Sequence, residues 1–83
     1  MTAPRRLLHV LTSPRAAEAV AVAVEQQRSG AGVPVLVIGP GAAGLTLPAG
    51  IETVRLTDDG KAGTIDYRGL LRLIDAAATV SVW

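Results

Sequence analysis

Two largely apolar runs, residues 5–11 and Val33 to Gly39, constrain this chain more than any other feature. Neither alternates with polar residues, so each is expected to be a strand buried on both faces, as the strands of a parallel sheet are. Parallel neighbours need a crossover between them, and the segment joining the two runs has the length and composition of a helix. Ser13-Pro14 is expected to open it, the Ser13 hydroxyl accepting an orphan backbone N–H and Pro14 losing no needed donor. Ala16 to Gln27 continues it with small residues that allow close approach to a sheet, and Gly30 or Gly32 ends it in a left-handed turn. Pro34 is tolerable because it sits at the start of its strand.

Beyond Gly39 the signals weaken and then recover. Ile51 to Thr57 alternates, with Ile51, Thr53 and Arg55 facing one way and Glu52, Val54 and Leu56 the other, which suits a strand nearer an edge. Asp58-Asp59-Gly60 reads as a turn. Asp66 is placed to cap a helix whose apolar positions are Tyr67, Leu70, Leu71, Ile74, Ala77 and Ala78. Val80 and Val82 then alternate with Thr79, Ser81 and Trp83 in a last strand. The expectation is a single α/β domain over residues 1–83, a small, mostly parallel sheet of about four to five strands flanked by helices.

At 83 residues there is room for one core, and a chain this short buries only ~60–65% of the surface its unfolded form exposes. Yet 49% of the residues are apolar, with one Trp, one Tyr and no Phe. Apolar surface in excess of what so small a core can hold predicts an oligomer. Eight basic and seven acidic side chains leave a net charge of +1, and the arginines are spread along the chain. With two aromatic residues in all there is neither a phosphate-tracking stripe nor a stacking platform, so direct nucleic-acid binding is not expected. Arg5-Arg6 precedes too few apolar residues for a signal-peptide core, and no run approaches the ~20 residues of a membrane span, so the reading is cytoplasmic.

Chemistry-bearing residues are few. Cysteine is absent, which removes disulfides, thiolate metal sites and any persulfide carried by the chain itself. His9 is the one histidine, facing with Leu7 and Leu11, and reads either as a buried imidazole satisfied at both nitrogens or as a group in contact with ligand or partner. No Ser-His-Asp arrangement or nucleophile elbow is present, and the chain is not expected to be an enzyme. Thr12, Ser13 and Arg15 follow the first strand at its carboxyl end, the edge where open parallel sheets gather ligands, and read as a cap with a solvated arginine or as an anion site. Trp83 is open to burial within its own subunit or at an interface.

Gly39-Pro40-Gly41-Ala42-Ala43-Gly44 matches G-x-G-x-x-G after a strand, with Asp58 nineteen positions beyond the first glycine. A dinucleotide site also needs a helix whose N-terminus faces the pyrophosphate. Pro48 leaves barely a turn for one, and Pro40 removes a donor from the loop. The glycines at 39, 41 and 44 therefore read first as a tight turn and second as a nucleotide or anion site. No cofactor or metal is expected.

The two ends of the chain together resemble one family. Leu7-Leu8-His9-Val10-Leu11-Thr12-Ser13-Pro14, with Ile65-Asp66-Tyr67-Arg68-Gly69 and a closing strand that ends in Ser81-Val82-Trp83, is similar to the TusB/DsrH proteins. The resemblance implies a DsrE-like layered α/β fold and a place in a sulfur relay, in assembly with TusC/DsrF-like and TusD/DsrE-like subunits. In those complexes a Cys of the D/E-type subunit carries persulfide, toward thiolation of the tRNA wobble uridine or in sulfur oxidation. A chain without Cys would be a noncatalytic member that scaffolds its Cys-bearing partner, and His9, Ser13, Asp66, Tyr67 and Trp83 would serve fold or assembly. The alternatives are a small nucleotide- or anion-binding module using Gly39 to Gly44, and a homo-oligomer that has lost the relay.

Overall fold

A computed structural model describes residues 5–13, 16–42, 44–57 and 63–83. Along the chain run β1 (Arg6–Leu11), α1 (Ala17–Ser29), β2 (Val33–Ile38), a 3₁₀ turn (Pro40–Ala42), β3 (Glu52–Leu56), β4 (Thr64–Ile65), α2 (Tyr67–Ala76) and β5 (Thr79–Val82). The five strands form one sheet in the order β4-β3-β2-β1-β5, every neighbouring pair parallel. The fold is the α/β layer expected from the two apolar runs, which lie side by side at its centre with Arg6 opposite Val33 and Leu11 opposite Ile38.

Each face of the sheet has its own core. On one, Leu11, Leu36, Ile38 and Ile51 meet Ala16, Ala19 and Ala23, with Leu45, Leu47 and Trp83 packed against them. The alanines let α1 settle close to the strands, while Val22 and Val24 point outward. On the other face Leu8, Val10, Val35 and Val37 meet Leu70, joined by Val54, Leu56, Ile65, Leu73 and Ala77. The alternation read in residues 51–57 is therefore real, Ile51 going to the α1 face and Val54 and Leu56 to the α2 face.

Two local readings change, and one element without a signal is added. Ser13 does not cap α1: the N-cap is Ala16, with no side-chain hydrogen bond, and the Ser13 carbonyl accepts the Ala16 N–H at 3.1 Å in a turn that precedes the helix. Pro14 and Arg15 lie outside the described residues, as does the expected turn at Asp58-Asp59-Gly60. β4 adds a fifth strand two residues long, too short to carry a periodic signal. On α2, the expected apolar stripe divides: Leu70 is buried and Ala77 packs beside it, but Tyr67, Leu71, Ile74 and Ala78 are left exposed, and Leu73, outside that stripe, takes an inward place.

The other helix signals hold. Gly30 ends α1 with φ of 74°, a left-handed conformation available to glycine without strain, and the Ala31 N–H returns to the Gln26 carbonyl at 3.1 Å. Asp66 caps α2, its Oδ1 accepting the Gly69 N–H at 2.9 Å.

Candidate functional site

In this strand order β1 leads to β2 on one side and has β5 on the other, so the chain reverses direction across the sheet between β1 and β5. The carboxyl end of such a reversal is where open α/β sheets leave a crevice for ligands. Here the crevice is closed by the chain itself. The Trp83 N–H donates to the Val10 carbonyl at 2.9 Å, and the Thr12 N–H donates to the Trp83 carbonyl at 2.8 Å. The Thr12 hydroxyl donates to that same carbonyl.

Behind this closure lies His9, only 2% exposed and the one buried polar side chain among the described residues. Its register partner on β5 is Ser81, and its ring points to the α1 face, between that helix and Trp83. The Trp83 indole N–H lies 3.1 Å from Nδ1, and the Gln26 side-chain oxygen lies 2.8 Å from Nε2. An indole nitrogen can only donate, so Nδ1 must accept, and the proton of a neutral ring sits on Nε2, directed at the Gln26 oxygen. The rings are tilted by 44° with centroids 6.1 Å apart, a distance at which aromatic rings are in contact. Both imidazole nitrogens are thus occupied by the protein. No buried side-chain nitrogen or oxygen among the described residues lacks a partner.

The site therefore unites two of the residues singled out in sequence, His9 and Trp83, with one that gave no signal, Gln26. Nothing in a one-dimensional pattern links Gln26 to a residue seventeen positions earlier. Ser13 stands half-buried at the end of β1, beside the closure. Asp66 and Tyr67 lie at the same edge of the sheet but beyond β4, where the Asp66 carboxylate is engaged in its cap. Tyr67 is 71% exposed. With Pro40, Leu56 and Thr57 it lines an open depression of ≈ 320 Å³.

The glycine-rich loop has a packing role that is visible atom by atom. The Gly39 N–H donates to the Leu11 carbonyl at 2.9 Å, and the Gly39 carbonyl accepts the Ala42 N–H at 3.0 Å. A Cβ at Gly39 would sit 2.9 Å from the Leu11 carbonyl oxygen, and one at Gly41 would collide with the Thr12 carbonyl oxygen. These glycines let the loop after β2 lie directly against the loop after β1. The chain then makes only a three-residue 3₁₀ turn, so among the described residues the loop itself opens no helix of useful length. Gly41, Ala42, Gly44 and Leu45, none of them charged, line a shallow cavity of ≈ 230 Å³. Ala43 and Asp58, the other parts of that motif, lie outside the described residues.

Among the described residues no group of three or more His, Cys, Asp or Glu side chains is placed to hold a metal ion. Nor is any helix among them long and apolar enough to cross a membrane. Comparison of the chain with protein-family models, with curated proteins and with solved structures returns no match.

Proposed function

We propose that this protein is a noncatalytic subunit of a sulfur-relay complex of the TusBCD/DsrEFH kind, one that scaffolds a Cys-bearing partner during persulfide transfer. The observation that carries this reading is the His9–Trp83 hydrogen bond. The two segments that resemble TusB/DsrH proteins lie at opposite ends of the chain, and their most distinctive residues join in one buried cluster between adjacent strands. Two residues of the resemblance, His9 and Trp83, thus act together, and their role is structural: the one imidazole holds the last strand in place. With no Cys in the chain, the sulfur-carrying group belongs to the partner.

Tyr67 is the residue of the resemblance that the fold does not consume. Exposed beside the depression formed with Pro40, Leu56 and Thr57, it offers the partner an aromatic anchor at the carboxyl edge of the sheet. The setting is the cytoplasm, and the destination of the sulfur is tRNA wobble-uridine thiolation or sulfur oxidation.

The reading is tested by purifying the tagged chain from its source organism and identifying what accompanies it. A small Cys-containing α/β protein is expected with the native chain and is expected to be depleted with Tyr67→Arg, a change that leaves the core untouched. Recovery of this chain with no such protein would overturn the proposal.

A further inference from the structure

His9, the buried polar side chain of the sheet, is also titratable, and the bonds it makes require a neutral ring. Nδ1 accepts the Trp83 indole N–H at 3.1 Å, and Nε2 directs its proton at the Gln26 oxygen at 2.8 Å. A second proton can go only to Nδ1, the nitrogen whose lone pair holds the tryptophan. An imidazolium donates at both nitrogens and an indole nitrogen never accepts. Protonation therefore sets two N–H groups against each other where one bond stood.

Among the described residues no side chain is placed to compensate the added charge. β2 and β5, the strands on either side, carry no titratable side chain, and the register partners of His9 on them are Leu36 and Ser81. On β1 itself the other ionisable residue is Arg6, exposed at the start of the strand. α1 carries Glu18, Glu25 and Arg28, all exposed, and the last two pair at 4.0 Å. What α1 turns to the ring is the Gln26 amide, which does not ionise. Arg68, Arg72 and Asp75 belong to α2, across the sheet. The main-chain oxygen of Trp83, charged where the chain ends at that residue, is engaged by the Thr12 N–H and hydroxyl. A buried ion without a partner must reach water or drive its neighbour away.

Of the groups around the ring, one can leave. The main chain of His9 is held in the sheet between β2 and β5, and the Gln26 oxygen suits an imidazolium as well as it suits the neutral ring. The Trp83 indole stands half-buried at the end of the last strand.

We propose that His9 is a proton-operated latch on β5: a proton taken from solvent onto Nδ1 displaces the Trp83 indole and loosens the strand end that closes the crevice between β1 and β5. The proton adds to the Nδ1 lone pair, hydrogen bonds alone are broken, and the latch closes again when the proton leaves. The closed form binds one proton fewer at this ring than the open form, so closure is favoured at higher pH and lost as pH falls. The edge it uncovers, beside Thr12, is where open α/β sheets take their ligands. The latch stands on the geometry of His9 and does not need the sulfur relay.

The test uses the native full chain, in which one histidine and one tryptophan give each signal a single source. Isotope-labelled protein is titrated from about pH 8 to about pH 5, the window in which histidine changes charge. The imidazole nitrogen resonances report the proton, the indole N–H resonance reports the bond, and acrylamide quenching of fluorescence reports the access of solvent to Trp83. One reversible transition is expected in all three, with emission moving to longer wavelength and quenching increasing as pH falls. The Thr12 and Trp83 amide signals are expected to follow it while those of β2 and α1 keep their folded positions. His9→Asn keeps an amide oxygen near the indole and does not ionise, and is expected to hold Trp83 in place throughout. A ring that gains its proton while the indole resonance and the quenching stay fixed would overturn the inference. So would a ring that stays neutral until the whole chain unfolds, or release of the indole at the same pH in the folded His9→Asn protein. If that variant does not fold, the titration of the native chain decides alone.

Discussion

The Trp83 indole N–H donates to His9 Nδ1 across 74 positions of sequence, and the same tryptophan returns its backbone N–H to Val10 and its carbonyl to Thr12. One residue at the end of the last strand thus ties β5 to β1 through both side chain and main chain. Trp83→Phe keeps most of the ring's packing and removes the donor, leaving a buried acceptor without a partner. A loss of ~1–3 kcal/mol in urea unfolding is expected for that unsatisfied nitrogen. Trp83→Ala should cost more, because packing on Leu11 and the α1 face is lost as well.

Gln26 holds the other ring nitrogen at 2.8 Å, and the pair can be tested as a pair. Gln26→Leu strands the Nε2 proton and is expected to destabilise by ~1–3 kcal/mol. In a double-mutant cycle with His9→Leu, the second substitution should cost less once the first is present, since two apolar groups leave nothing unsatisfied there. Strictly additive losses would mean that the two side chains do not interact.

The helix caps make opposite predictions for two residues that look alike in sequence. Asp66→Ala removes an acceptor from the Gly69 N–H and is expected to cost ~0.5–2 kcal/mol. Ser13→Ala removes no cap, because the N-cap of α1 is Ala16, and should lie within ~0.5 kcal/mol of the native chain. Thermal melts of the two variants under one condition separate them.

Gly41 and Gly44 belong to the same loop and should respond differently. A Cβ at Gly41 drives into the Thr12 carbonyl, whereas one at Gly44 meets nothing within 4 Å. Gly41→Ala is expected to lower the melting temperature by several degrees and Gly44→Ala to leave it nearly unchanged. If the loop is a packing turn, saturating dinucleotide or phosphate should shift neither protein, since a ligand that binds the folded state raises its melting point.

Much of the fold is legible in the sequence because parallel strands buried on both faces must be largely apolar, as Val33–Ile38 is throughout and Leu7–Leu11 is apart from His9. Asp66 is equally readable, since its cap is local. The rest depends on which surfaces meet. β4 is two residues long and is defined by pairing with Arg55 and Leu56, without a pattern of its own. The α2 stripe has the right spacing, but spacing does not say how far a helix is rotated on its sheet, and here Leu73 takes an inward place while Leu71 turns out. For the candidate site, His9 and Trp83 stand out as a lone histidine and a lone tryptophan. Their direct bond, and Gln26 as third member, require the crossover geometry that brings α1 and β5 to either side of one ring.

If this chain scaffolds sulfur transfer by another subunit, the most direct measurement is the intact mass of the protein captured with it, with and without reductant. The expected result is a small Cys-bearing partner whose mass exceeds that of its sequence by one sulfur and returns to the sequence mass on reduction. A partner at its sequence mass under both conditions, or capture of this chain with copies of itself alone, would contradict the scaffold role.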